Sequence, residues 1–119
     1  MRHRVNKVPK LGRKADHRKL LMRSLATSLI LHDKIQTSVT KAGALQPIIE
    51  RIITNLKKSS DDKSAIRYLQ TYIFGEKAQK KALSELKPKY AEKKSGFTRI
   101  TPIGIRKGDA TLKVQIELI

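Results

Sequence analysis

Cysteine is absent from this sequence, which removes a disulfide framework, a thiolate metal site and a cysteine nucleophile. Acids are scarce: 10 Asp and Glu stand against 27 Lys and Arg. They are also scattered. Only Asp61 and Asp62 are adjacent, and two neighbouring acids at a helix start serve the helix dipole and not an acid–base pair. The three histidines, His3, His17 and His32, have no metal-ligand spacing to another histidine or to a carboxylate. His32-Asp33 reads as a surface pair at a helix end, where a partly charged imidazole suits the dipole. No glycine-rich phosphate loop occurs, since Gly104 and Gly108 fall in hairpin context. Aromatic residues make up 4% of the chain. Tyr68, Tyr72, Phe74, Tyr90 and Phe97 are too dispersed for a single-strand stacking platform, and Tyr68 and Tyr72 at helical spacing read as partial core. The longest apolar stretch, "LLMRSLATSLIL", is interrupted by Arg23, so nothing approaches the ~18 uncharged residues of a membrane span. The expectation is a soluble intracellular protein without catalytic residues, cofactor, metal, membrane association or small-molecule substrate.

What the sequence has in excess is positive charge. The formal net charge of +17 on 119 residues exceeds what solubility asks of a small domain and calls for a polyanionic partner, nucleic acid before an acidic membrane surface. The charge is densest at the start. Residues 1 to 23 carry Arg2, Arg4, Lys7, Lys10, Arg13, Lys14, Arg18, Lys19 and Arg23 against the single acid Asp16. Self-repulsion keeps such a run extended until phosphates neutralise it. Pro9, Gly12 and the lack of an apolar stripe before Leu20 argue against an amphipathic transit peptide. His3 and His17 lie inside this run and read as phosphate or ribose contacts. Contacts of this kind give affinity without base reading and weaken steeply with salt.

Behind the arm the pattern becomes that of one α+β domain, which is all the length supports. Leu21, Leu25 and Leu29, flanked by Met22 and Ala26, predict a first helix capped by Asp16, with Arg18, Lys19 and Arg23 outside. The alternation of Ile35, Thr37 and Val39 with Lys34, Gln36 and Ser38 predicts a strand. Leu45, Ile48, Ile49, Ile52, Ile53 and Leu56 predict the main core helix, capped by Thr40, with Pro47 kinking it or displacing its start. A third helix, capped by Ser60 or Asp61, runs through Ile66, Leu69 and Ile73 to Gly75. A fourth, "EKAQKKALSELK", turns Ala82, Leu83 and Leu86 inward and ends at Pro88. "FTRITPIGI" and "TLKVQIELI" form a terminal hairpin around "RKGDA", reversed at Gly108-Asp109, with Leu112, Val114, Ile116 and Leu118 inward and Pro102 marking an edge or a bulge. The fold expected is about four helices on a small mixed sheet that includes the C-terminal hairpin. Residues 1–14 form an extended basic arm and 15–119 the single globular domain.

Composition leaves folded RNA and duplex DNA open, and residue order separates them. "MRHR", "KLGR", His17-Arg18, "TSVTKA" from 37 to 42, "SGFTRI", "RKGDA" and "IEL" come in an order that resembles the bacterial-type large-subunit ribosomal proteins of family seventeen, over nearly the whole chain. The resemblance implies an α+β domain on large-subunit, 23S-type rRNA near the peptide exit tunnel, with neighbouring large-subunit ribosomal proteins as further partners. It implies a structural role without catalysis in the cytoplasmic large subunit. By the same resemblance Arg2, His3, Arg4, Arg13, His17, Arg18 and Arg23 contact rRNA, joined by Lys41, Arg99, Arg106 and Lys107. Lys7, Lys10, Lys14 and Lys19 complete the set through the charge of the run. Ser24, Gly43, Pro47 and Phe97 depart from residues common in that family. A nucleoid DNA-binding protein would need a recognition helix or dimerisation surface, and an RNA-processing enzyme a clustered acid, base or metal set; neither signature is visible in the sequence.

Overall fold

The computed structural model describes residues 9–119. Its elements are α1 (Ala15–His32), β1 (Lys34–Ser38), α2 (Val39–Lys58), α3 (Asp62–Tyr72) and α4 (Glu76–Lys81), which continues through a π-helical turn (Ala82–Leu86) into α5 (Lys87–Lys89), then β2 (Thr98–Ile105) and β3 (Leu112–Leu118). The α+β class and the terminal hairpin are observed. The sheet is antiparallel throughout rather than mixed: β3 lies between β1 and β2 and runs against both.

The α2 helix is the centre of the core. Leu45, Ile49, Ile52, Ile53 and Leu56 are buried at the spacing that puts them on one side, and Ile48 is half-buried at its border. They pack with Leu29 and Ile30 of α1, Leu69 of α3, Leu86, Tyr90 and Phe97, and Val114 and Ile116 of β3. Each such aliphatic side chain removed from water contributes about 1.5–3 kcal/mol before conformational entropy is counted. The helix passes through Pro47 without ending. The amide that proline lacks would have met the Gly43 carbonyl one turn back, and both residues are exposed, so water can satisfy that carbonyl.

Several expected boundaries move. Asp16 does not cap α1, which starts one residue earlier behind Lys14, with Asp16 in its first turn. Its buried row is Met22, Ala26, Leu29 and Ile30, while Leu21 and Leu25 are only half-buried. Ser38, not Thr40, caps α2: its hydroxyl accepts from the Lys41 amide, so Val39 belongs to the helix and β1 ends at Ser38. Asp61 caps α3 as expected, accepting from the Ser64 amide at 2.9 Å. Pro88 does not end the fourth helix. In the π-helical turn the Lys87 amide reaches the Ala82 carbonyl five residues back, which lets the chain continue past the proline to Lys89. At the hairpin the left-handed residues are Gly108 and Ala110, not Asp109. Pro102 fulfils both expectations, since β2 is an edge strand and its register shifts between Pro102 and Gly104.

The α1–β1 junction is abrupt. Asp33 takes the left-handed conformation (φ 65°), donates its amide to the Leu29 carbonyl at 2.8 Å and sends the chain straight into β1. Lys81 holds it there, donating to the Asp33 carboxylate at 3.1 Å and to the Leu31 carbonyl at 3.0 Å.

Candidate nucleic-acid interface

The approach to α1 is a tight cationic turn. Leu11 and Gly12 are both left-handed (φ 59° and 63°), and the Arg13 guanidinium donates to the Leu11 carbonyl at 2.7 Å, fastening the turn that "KLGR" encodes. Lys10, Lys14, His17 and Lys19 are exposed around it, and Arg18 is half-buried. Arg23 is used differently. Its guanidinium lies 4.0 Å over the Phe74 ring and donates to the Gln70 carbonyl at 3.0 Å, so it joins α1 to the end of α3. Arg2, His3, Arg4 and Lys7 lie outside the described residues.

A second basic cluster forms where β1, α2 and the hairpin meet. Lys41 from the first turn of α2, Lys113 from β3 and Arg106 from the hairpin turn line a cavity of about 480 Å³ with Gln36, Thr37, Ser38 and Thr111. Register creates it, because Ser38 and Lys113 are directly opposed partners of the β1–β3 ladder. Three cations, three hydroxyls and an amide are the donor set that phosphate oxygens require.

The cations differ in how much charge they offer. Arg106 donates from both ends of its fork to Asp109, whose carboxylate also accepts from the Thr111 amide at 3.2 Å. These hydrogen bonds, the Arg106 guanidinium first, hold the Asp109 carboxyl well below the usual carboxylate range and push the Arg106 guanidinium up. Arg99 is matched by its cross-strand partner Glu117, donating from Nε at 2.9 Å and Nη2 at 2.7 Å to one carboxylate oxygen. Lys107 is exposed at the hairpin tip. Of the cavity's cations, Lys41 and Lys113 carry no carboxylate partner among the described residues.

Nothing in the sequence pattern distinguishes Arg51 or Lys113 from other surface cations. Arg51 sits between Ile48 and Ile52 and reads as ordinary helix surface, yet Lys41, Ala44, Ile48 and Arg51 follow one another at three- and four-residue steps on α2. One helical stripe therefore links the cavity to the side of α1 that carries Arg18, Lys19 and Arg23. Lys57 is drawn inward instead, donating to the Lys93 carbonyl with its ammonium 5.3 Å from the centre of the Phe97 ring. Among the described residues no group of His, Asp and Glu could hold a metal ion, and no helix is long and apolar enough to cross a membrane.

Known proteins resemble this chain over most or all of its length. The profile of the family described as ribosomal protein L17 matches residues 21–119. A large ribosomal subunit protein bL17 from Helicobacter hepaticus is 44% identical over 119 residues, the whole of both chains. One from Sulfurimonas denitrificans is 42% identical over 119 residues, again the whole of both. One from Desulfitobacterium hafniense is 42% identical over 110 residues, covering 92% of this chain and 96% of its own.

Proposed function

The chain belongs to the ribosomal protein L17 family, and from that premise we propose that it is a structural constituent of the large ribosomal subunit that binds and stabilises folded rRNA. In this reading it catalyses nothing, and its neighbours are 23S-type rRNA and other large-subunit proteins near the peptide exit tunnel. Residues 1–14 act as an rRNA-binding extension of the domain formed by 15–119, and the Lys41–Arg106–Lys113 cavity holds a backbone phosphate.

The observation that carries the proposal is the uneven use of positive charge. Of a net +17, the domain matches Arg99 and Arg106 with its own carboxylates, while Lys41 and Lys113 converge on one cavity without such a partner among the described residues. Converging cations raise the local potential and disfavour the fold unless a polyanion occupies the space. Contacts of this type position a protein on folded RNA through shape and phosphate.

The test is sedimentation of a tagged copy from cell lysate. Stoichiometric migration with large subunits that survives ~0.5 M salt is expected, because contacts buried in folded rRNA are screened less than exposed ones. Migration with chromosomal DNA, or retention at the top of the gradient, overturns the proposal.

A further inference from the structure

A groove of about 710 Å³, inside the ~300–1,000 Å³ range of ligand sites, runs between α1, α2 and α3. Its wall is apolar and aromatic: Leu20, Ile48, Tyr68 and Tyr72 face it, and Leu20 remains 50% exposed although it stands next to the core. Tyr68 and Tyr72 are a turn apart on α3, with ring centres 4.9 Å apart and planes tilted by 43°. The Tyr68 hydroxyl accepts from the Asn55 side-chain amide at 2.7 Å, which pins its ring in place. Burial pushes that phenol up from its ordinary value.

The rim is of one sign. Arg18, Lys19, Arg23 and Arg51 border the groove against the single carboxylate of Asp16. Arg23 is committed to Phe74 and Gln70, whereas Arg18 and Arg51 have no carboxylate partner among the described residues. An apolar wall with two tyrosines and a cationic rim is complementary to a flat π-system that carries its own anion. A base inside a duplex has both faces covered by its stacked neighbours, so the matching group is an unpaired, splayed-out base.

We propose that this groove receives one unpaired nucleotide of the bound RNA, its base against the Tyr68–Tyr72 wall and its phosphate between Arg18 and Arg51. This rests on the RNA-binding reading above and adds to it a site for a single-stranded element, which the dispersed aromatics of the sequence do not announce. The aromatics reach it from one helix, and the cations from two others.

The test uses the full chain with two probes, a short single-stranded oligoribonucleotide carrying thiouridine and an RNA duplex of the same length. Photocrosslinks are expected on the segment that contains Tyr68 and Tyr72. Ile48→Trp, which fills the groove with an apolar ring, should weaken single-strand binding by about 5- to 160-fold, the range for losing one stacked base, and leave duplex binding unchanged. Should Ile48→Trp fail to fold, Tyr72→Ala should show the same loss and Tyr72→Phe should restore binding, because stacking needs the ring and not the hydroxyl. Crosslinks confined to other segments, or single-strand affinity unchanged in these variants while the duplex still binds, overturn the groove alone. Groove crosslinks from a second protein copy or a peptide would likewise replace the nucleotide as occupant. Failure of the chain to bind either RNA overturns both readings.

Discussion

Glu50 and Thr98 are joined twice through one carboxylate oxygen. Oε1 of Glu50 accepts from the Thr98 amide at 3.2 Å and from the Thr98 hydroxyl at 3.0 Å, and it also takes the Phe97 amide at 3.0 Å. Gln46, one turn earlier on α2, donates to the same hydroxyl at 3.1 Å. Thr98 is the one buried polar residue among those described, and this clamp satisfies it while fixing where β2 begins against α2. Glu50→Ala leaves two backbone amides and a hydroxyl without their acceptor and should destabilise the domain by about 1–3 kcal/mol. Glu50→Gln keeps an acceptor oxygen and should cost less. Urea unfolding of both variants, read at constant m-value, checks the order; equal destabilisation in the two would mean that charge and not acceptance matters.

The middle of α2 is open to improvement. A Cβ at Gly43 meets no atom within 4 Å, and the residue has an ordinary helical backbone, so Gly43→Ala should stabilise by about 0.5–1 kcal/mol. Pro47→Ala restores an amide to the Gly43 carbonyl and should add about 1–3 kcal/mol, less than the full proline penalty because that carbonyl is already solvated. Thermal unfolding measures both. Gly75→Ala and Gly108→Ala, where φ is 81° and 105°, should go the other way.

On the proposed rRNA-binding function, the salt dependence of binding should distinguish cations that look alike in the sequence. Replacing Lys41 and Lys113 together by Gln should lower the slope of log K against log salt by about one unit for each phosphate no longer neutralised. Arg99→Gln should leave that slope unchanged, since Glu117 already matches the guanidinium. Filter binding of the full chain across a salt series measures this, and a larger change for Arg99 than for the lysine pair would place the phosphate-binding surface on the hairpin face.

Two carboxylates set an acid limit on local structure. The Ser64 amide and hydroxyl lower the Asp61 carboxyl below its ordinary 3.8, and Arg106 with Thr111 lowers that of Asp109. Because the folded-state value lies below the unfolded one, the contribution of each is complete above pH 3.8 and lost as pH falls through the lower value. Amide chemical shifts of Ser64 and Thr111 should therefore hold steady to below pH 3.8 and then move. An inflection above that value would contradict the hydrogen bonds.

Helix existence was legible because burial on α2 and α3 follows the 3.6-residue period, a property of neighbouring residues. Caps were less so: Thr40 and Ser38 are both accepted capping residues, and in the fold β1 pairs with β3 as far as Ser38, which caps α2. Gln46 and Glu50 read as a solvated helix face until the return of Thr98 covers them. The bulge between Pro102 and Gly104 is what places Arg99 opposite Glu117; carrying the Ile105–Leu112 register onward without it would set Arg99 against Leu118, on the other face of the sheet.

By itself the sequence determined the α+β class, the positive charge and the order of motifs that marks the family, since each is a sum or a pattern along the chain. The tertiary structure decided which cations face outward together and which are matched within the domain. That choice depends on strand register and helix packing between residues tens of positions apart, where a shift of one residue moves a side chain to the opposite face.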